Sequence, residues 1–268
     1  MRPEFSEFSY GFALTQEVCD LFSDRLYAPA FPSLLAEGQP GGGYDVFIPE
    51  AAIFLQFKVS DRLTTRAAKE SSLLGIPYYR AHLHRRNHSA QHELMLQLEN
   101  SGKLVFYITP AFATNFKLNQ NYSTRTVALE SAFFTPSEIG PLLDDASHYV
   151  VFATAGSGIH FCSEPRPIRA FTIKQILSMH ELSAGPEKVE SREAATLVTF
   201  AQQITEVMLD TYTSVTGKPM GTREARELDP VQRAATLAQV LFDCQLVFAG
   251  SLNSDLNRTD TALSRGPG

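Results

Sequence analysis

The feature that most constrains the fold is the run Ala51–Val59, AAIFLQFKV, in which nearly every residue is apolar. A short apolar run of this kind, entered through a break at Pro49, is typical of a strand buried inside a sheet. Gln56 and Lys58 interrupt the run two residues apart, and because side chains alternate along a strand, both are predicted to lie on one face. Burying a lysine without polar partners is costly. The chain is therefore expected to form a polar site around these two side chains.

A glycine-rich segment with two acidic residues precedes this strand. In EGQPGGGYDVFIP, Glu37 comes before the glycines and Asp45 lies in a strand predicted at residues 44–48. If the two strands pair, four polar groups meet at the strand ends: the carboxylate of Asp45, the amide oxygen of Gln56, the carbonyl of Phe57 and the ammonium of Lys58. Magnesium prefers such hard oxygen ligands, often one or two carboxylates with waters and a substrate phosphate. The segment therefore predicts a site for Mg²⁺ or Mn²⁺, with Glu37 as the second carboxylate.

Four residues of this chain, in the order Glu37, Asp45, Gln56 and Lys58, resemble the active-site motif of the PD-(D/E)xK nuclease superfamily. The narrower resemblance is to its Mrr-type restriction nucleases, in which glutamine replaces the acidic residue of the second motif half. It implies an α/β, restriction-endonuclease-like fold, a mixed sheet flanked by helices. It also implies metal ligands at Asp45 and Glu37, a third-ligand position at Gln56 and a catalytic lysine at Lys58. The strings SAQHELMLQLE and SAFFTPSEIGPLL resemble a family of uncharacterised bacterial proteins.

Two simpler interpretations of this motif stay open. Asp45 could be a turn residue, and the strand with Gln56 and Lys58 could lie at a sheet edge, from which the lysine reaches solvent. The neutral amide of Gln56 also supplies one negative charge fewer than the commonest motif. A metal site built on glutamine is therefore expected to bind its ion more weakly than one built on a carboxylate.

A strip of cationic and histidine residues follows between residues 80 and 92. It comprises Arg80, His82, His84, Arg85, Arg86, His88 and His92. In a restriction-type core this segment leads toward the nucleic-acid cleft, so four of its residues are predicted to contact phosphates: Arg80, His84, Arg85 and Arg86. By the same resemblance, Gln91, in the first turn of the next predicted helix, is expected beside the metal and among the residues that contact nucleic acid. The alternatives are a solvated polar connection, a capping or solvated role for Gln91, and a zinc site formed by four histidines.

Strand and helix patterns alternate to about residue 165, and helical periodicity dominates afterwards. Helices are predicted at 15–26 and 63–74 and from Ser89 onward, and strands at 78–83, 103–110, 132–135, 148–154 and 158–162. Further helices are predicted at 173–182, 187–216 and 230–248. The predicted organisation is an α/β core at 1–170, a helical C-terminal subdomain at 171–250 and a flexible polar tail at 251–268.

Composition and charge narrow the setting. The three cysteines are far apart and lack CxxC spacing, which argues against a disulfide framework and favours a reducing compartment. The first residues lack the pattern of a signal peptide, and no apolar run approaches the ~20 residues that span a bilayer. The chain is therefore expected to be soluble and cytoplasmic, without a membrane partner. A net charge of -6 argues against coating of nucleic acid through overall charge, although a local basic strip can still bind phosphates.

Three functions follow from these patterns. The first is a Mg²⁺-dependent endonuclease, a hydrolase that cuts DNA in restriction or phage defence. The second is a non-catalytic member of the same fold that binds nucleic acid or another protein. The third is an interaction subunit whose C-terminal helices, predicted at 187–216 and 230–248, pack on a protein partner or on a second copy of the chain.

Overall fold

The computed structural model describes residues 1–21, 53–67, 69–87, 89–156, 158–162, 166–184, 194–217, 228–242 and 245–247. Several sequence predictions lie outside these ranges: the metal ligands Glu37 and Asp45, the strand at 44–48, His88 and the tail at 251–268. Within the ranges, two sheets and several helices form a mixed α/β structure, as the alternating patterns predict.

The first sheet contains four strands in the order β5, β4, β1, β9. Their bounds are β1 (Ile53–Phe57), β4 (Leu104–Pro110), β5 (Ser131–Phe134) and β9 (Gln245–Val247). The two central strands run parallel, with Ile53 opposite Leu104 and Phe57 opposite Ile108, whereas β5 and β9 run antiparallel to their neighbours. The carboxyl ends of β1 and β4 therefore lie at the same edge of the sheet.

The second sheet is antiparallel and contains five strands in the order β2, β3, β6, β7, β8. Their bounds are β2 (Ser60–Leu63), β3 (Tyr78–His82), β6 (Tyr149–Phe152), β7 (His160–Phe161) and β8 (Arg166–Pro167). Only two residues, Lys58 and Val59, separate β1 from β2. The chain thus passes from one sheet to the other directly after the predicted site strand.

Eight helices lie in the described part of the chain. They are α1 (Glu7–Cys19), α2 (Ser71–Leu74), α3 (Gln91–Asn100), α4 (Asn115–Thr124), α5 (Pro136–Ile139), α6 (Ile173–Ala184), α7 (Ala194–Thr216) and α8 (Pro230–Phe242). Among these described helices, none combines the length and the apolar character that a membrane crossing requires.

The first sheet separates two apolar cores, one on each face. Phe54 and Tyr107 belong to the core that α3, α7 and α8 cover, whereas Leu55 and Phe106 belong to the core that α1 and α6 cover. Because side chains alternate along β1, Gln56 lies on the same face as Phe54. The helix α3 is therefore the element that packs over Gln56.

The C-terminal helices take part in the first of these cores. Helices α7 and α8 pack against each other and against α3, and Ile204, Met208 and Leu237 join the core that contains Phe54. Strand β9 then pairs with β1, with Leu246 opposite Phe54. The C-terminal segment therefore contributes directly to the sheet and the core that carry Gln56.

Three helix predictions need correction. The first helix begins at Glu7 rather than at residue 15, because Ser6 caps it by accepting a hydrogen bond from the backbone N of Ser9 at 3.1 Å. The helix predicted at 63–74 is wrong for most of its length, since Leu63 ends β2 by pairing with Tyr78 and, of the residues described in this span, Ser71–Leu74 alone are helical. The helix predicted at 230–248 ends at Phe242, because the following residues form β9 instead.

Candidate functional site

The side chains on the α3 face of the first sheet form rows that become more polar toward the carboxyl ends of β1 and β4. The first row is Leu246, Phe54 and Val105, and the second is Gln56, Tyr107 and Phe134. The hydrogen bond from Lys58 N to Ile108 O, 2.9 Å long, continues the ladder to a third row of Lys58, Thr109 and Ala132. Open α/β sheets bind ligands at the carboxyl ends of their strands. The polar rows lie at that end.

Two buried amides meet in the second row. Gln91 Nε2 donates to Gln56 Oε1 at 2.9 Å, and Gln56 Nε2 donates to the carbonyl of Phe57 at 3.0 Å. The Phe57 carbonyl can only accept, so this pair of bonds fixes which end of the Gln56 amide faces Gln91. Gln56 is 2% exposed and Gln91 is 3% exposed. The solvated role considered for Gln91 is therefore wrong, because its side chain is buried against the strand that carries Gln56.

Lys58 is also buried, with 4% of its surface exposed. Its Nζ lies 3.2 Å from Nε2 of His84, and because an ammonium only donates hydrogen bonds, Nε2 accepts and the imidazole proton is on Nδ1. Strand β1 has a neighbour on each side, β4 and β9, so it is not an edge strand. The alternative of an edge lysine that reaches solvent is therefore wrong.

The first turn of α3 docks on the second row through two successive residues. Gln91 bonds Gln56, and the next residue, His92, stacks on the ring of Tyr107 with centroids 5.9 Å apart. His92 Nε2 lies 2.8 Å from the carbonyl of Gly140, which can only accept, so Nε2 carries the proton and Nδ1 accepts from Tyr107 Oη at 3.0 Å. Burial lowers the pKa of His92, consistent with a neutral ring.

This docking brings the N-terminal end of α3 to the carboxyl ends of β1 and β4. The first turn of a helix presents backbone N–H groups and the positive end of its dipole. Ser89, the predicted cap, accepts from Gln91 N at 3.1 Å. The helix end and the Lys58 ammonium are therefore two positive features at this edge of the sheet, of the kind that bind anions such as phosphate.

Arg80, predicted to contact phosphates, has a different set of partners. Its Nη2 donates to Glu70 Oε2 at 2.7 Å, and its guanidinium lies 4.7 Å from the centre of the Tyr149 ring. Burial alone would raise the pKa of the Glu70 carboxyl, but hydrogen bonds from Tyr149, Tyr78 and Arg80 outweigh it and lower the pKa to about 2. Arg80 therefore helps to fasten the segment before α2 to the second sheet.

The remaining residues of the cationic strip divide between the surface and the interior. Arg85 and Arg86 are exposed and lie between His84 and α3, next to this edge of the first sheet. His82 is half-exposed on β3, with Nε2 4.0 Å from Asp61 Oδ2, whereas His92 is buried. The structure thus brings together Gln56, Lys58, His84 and Gln91, and it places Arg80 in a separate ion pair.

Sequence reasoning missed two residues of these rows, Tyr107 and Thr109, and the buried role of His92 on α3. Tyr107 and Thr109 are two apart in KLVFYITP, so the alternation argument that selected Gln56 and Lys58 would also have paired them. What the sequence lacks is the register that sets Tyr107 opposite Gln56. His92 was grouped with the exposed strip, although it occupies the apolar stripe of α3 together with Met95.

The donor set for a divalent metal is only partly present in the described ranges. Gln56 Oε1 and the Phe57 carbonyl are hard oxygens of the kind that Mg²⁺ and Mn²⁺ take, but both are neutral. Within those ranges no three His, Cys, Asp or Glu residues group in a way that could hold a metal ion. The neutral oxygens therefore fit a divalent ion if Glu37 and Asp45 supply the carboxylates.

Comparison with known proteins identifies no relative of this chain. No protein-family model, no curated protein and no solved structure matches the chain. The fold and the site define a mixed α/β protein with a buried polar cluster at the carboxyl ends of two parallel strands. Its chemistry is therefore interpreted from its own residues.

Proposed function

We propose that this protein is a metal-dependent nuclease, an endonuclease of the PD-(D/E)xK type that hydrolyses phosphodiester bonds in DNA during restriction or phage defence. The observation that supports this best is the grouping of Gln56, Lys58 and Gln91 at the carboxyl ends of two parallel strands. A buried ammonium is costly unless it is paired, and the carboxyl ends of parallel strands are where open α/β sheets bind ligands. The order of the residues matches the motif that suggested the function.

Each residue has a distinct role in this proposal. Asp45 and Glu37 would hold Mg²⁺ or Mn²⁺ together with Gln56 Oε1 and the Phe57 carbonyl, and the bound ion would supply Lewis-acid polarisation of the phosphate. Lys58 donates to a phosphate oxygen and offsets the negative charge that develops during hydrolysis. Gln91 keeps the Gln56 amide oriented. Arg85 and Arg86 contact neighbouring phosphates of the DNA backbone.

A second candidate is a non-catalytic protein of the same fold that binds nucleic acid. Both neutral oxygens of the proposed metal site already accept hydrogen bonds, Gln56 Oε1 from Gln91 and the Phe57 carbonyl from Gln56. In the described ranges, this edge of the sheet carries cationic side chains, which favour the binding of a polyanion such as nucleic acid. Such a protein would bind DNA phosphates without cutting them, and a protein partner or second copy could bind through the C-terminal helices.

The proposal predicts that Lys58→Ala and Asp45→Ala each lower Mg²⁺-dependent DNA cleavage by at least about 100-fold, the scale of losing one group that stabilises a transition state. Plasmid nicking and linearisation, with Mg²⁺ and with Mn²⁺, measure the loss. Lys103→Met, which removes a half-buried lysine at the opposite end of β4, is the matched control and should keep the wild-type rate. Circular dichroism of all variants checks that the fold survives.

Two outcomes would decide against catalysis. If the wild-type protein cleaves no DNA with either ion, the non-catalytic candidate is favoured. Unfolding of both Lys58→Ala and Asp45→Ala would instead show that these residues serve packing, because an active site is a cluster of charges that the fold does not need.

A further inference from the structure

Lys58 is a buried cation without a counter-ion among the residues that the structure describes. Its ammonium lies 3.2 Å from the imidazole of His84, and no described carboxylate forms an ion pair with it. Glu7, whose Oε1 accepts from the backbone N of the adjacent Val59 at 3.2 Å, does not pair with Lys58 either. A buried charge is costly unless an opposite charge compensates it. Among the described residues, the surroundings of Lys58 therefore lack an anion.

The groups around Lys58 favour an anion of a particular kind. Thr109, in the same row, is fully buried, and its Oγ1 has no hydrogen-bond partner in the described part of the chain. The electropositive end of α3 lies over the preceding row, where Gln91 bonds Gln56. One hydrogen of the Lys58 ammonium is directed to His84, and two remain. An oxyanion with several acceptor oxygens can satisfy these donors together.

We infer that Lys58 and His84 form a binding site for a phosphate oxyanion that works without a metal ion, and that its occupant is a phosphodiester of nucleic acid. The inference rests on the proposed function, and it places His84, one of the residues predicted to contact phosphates, beside Lys58 as a ligand of the same phosphate. His84 is exposed, so the site opens to the surface there, and Arg85 and Arg86 follow it as exposed cations. Successive cations along a surface suit the repeated phosphates of a polymer better than a single small anion.

The first experiment follows thermal melting in EDTA, with inorganic phosphate as the probe and sodium chloride at matched ionic strength as the control. Phosphate should raise the melting midpoint of the wild type, because a ligand that binds only the folded state stabilises it. Lys58→Met should lose this response. It should also melt higher than the wild type in phosphate-free buffer, since an apolar side chain replaces an uncompensated buried charge.

Lys103→Met is the matched control for this charge change. Lys103 precedes β4 and lies about 20 Å along the strand from Thr109. It should keep the phosphate response of the wild type. A wild type that responds to phosphate no more than to chloride, or a Lys103→Met variant that loses the response as fully as Lys58→Met, would overturn the site.

The role of His84 is tested by two substitutions at one position. His84→Ala should weaken phosphate binding about tenfold, the loss expected for one charge-assisted hydrogen bond. His84→Arg should restore binding, because it returns a hydrogen-bond donor to the same place and adds a positive charge. Unchanged binding in His84→Ala would remove His84 from the site.

The occupant is tested by competition, again without metal. A labelled short DNA duplex should bind the wild type, inorganic phosphate should displace it, and Lys58→Met should weaken it. Phosphate binding with no competition by the duplex would show that a small phosphate compound, not nucleic acid, fills the site. None of these measurements requires metal or cleavage, so they remain valid if the protein has no nuclease activity. Conversely, a protein that binds no phosphate could still cleave DNA with a metal ion, and the cleavage assay tests that separately.

Discussion

At the scale of single residues, the side chain of Gln56 is held in place by hydrogen bonds that require no metal ion. Its amide donates to the Phe57 carbonyl with one end and accepts from Gln91 with the other. A carboxylate at the same position would direct an oxygen at the Phe57 carbonyl, and two acceptors cannot share a hydrogen bond. The departure from the acidic motif thus has a physical consequence: glutamine stabilises the arrangement without an ion.

We expect Gln56→Glu to melt below the wild type in EDTA and to gain more stability from Mn²⁺. Without the ion, the variant loses the bond to the Phe57 carbonyl, at a cost of about 1–3 kcal/mol. With the ion, the added charge strengthens the attraction between the site and the metal. Thermal melts in chelator and across a Mn²⁺ titration compare the two proteins, with Gln97→Glu on α3 as the control. Equal metal responses would mean that Gln56 does not face a metal.

At the scale of secondary-structure elements, α3 is held in place by three polar contacts as well as by apolar packing. Gln91 and His92 bond Gln56 on β1 and Tyr107 on β4, so the first turn of the helix connects the two parallel strands. His92 also bonds the carbonyl of Gly140, which directly follows α5. A shift of α3 would therefore break contacts to three other parts of the chain, and it would move Gln91 away from Gln56.

This seating predicts an acid-sensitive stability. Burial lowers the pKa of His92 below its ordinary value of 6.5, so in acid the unfolded chain binds a proton that the folded protein does not. The contribution of His92 to the free energy of unfolding is complete at neutral pH and is lost as the pH falls below about 6.5. The loss is up to about 1.4 kcal/mol for each unit by which the pKa of His92 differs between the folded and the unfolded chain. Urea unfolding at neutral pH and near pH 5 measures this loss.

The variant His92→Gln should lose less stability over the same pH interval, because an amide can bond Tyr107 and Gly140 without titrating. His160→Gln is the control, since the His160 ring bonds only the nearby carbonyl of Gly158. If His92→Gln loses as much stability in acid as the wild type, another group causes the acid sensitivity.

At the scale of the whole molecule, residues distant in sequence complete the first sheet and its core. Helix α8 and strand β9 bury several large apolar side chains against α3 and β1: Val231, Leu237, Leu241, Phe242 and Leu246. Each such side chain contributes roughly 1–3 kcal/mol when buried. Their sum is comparable with the whole stability of an ordinary domain, about 5–15 kcal/mol.

A chain that ends after Gly217 is therefore expected to lose cooperative folding, whereas a chain that ends after Gly250 should melt close to the full-length protein. The second truncation removes only the tail that composition predicts to be flexible. Circular dichroism and thermal melting of both chains provide the measurement. A cooperative transition in the shorter chain would show that residues 1–217 fold independently of α8 and β9.

The local parts of this structure could be predicted from the sequence, and the long-range parts could not. Alternation along one strand places Gln56 and Lys58 on a shared face, and Ser89 with Gly102 brackets α3. The pairing of Gln56 with Tyr107 depends on a register between separate strands, for which one sequence carries no signal. The periodicity of residues 245–247 continues the helical pattern before them. They form a strand because they pair with the side of β1 that β4 leaves unpaired.

The pairing of β9 with β1 sets an order of events during synthesis. The strand that carries Gln56 leaves the ribosome early, while its neighbour Leu246 is among the last described residues to be made. Until then, one side of β1 has unpaired backbone groups and the apolar surface of α3 lacks its cover, which is the condition that chaperones recognise and that promotes aggregation. A nascent chain halted before β9 therefore contains Gln56 and Lys58 but not the finished sheet that holds them in place.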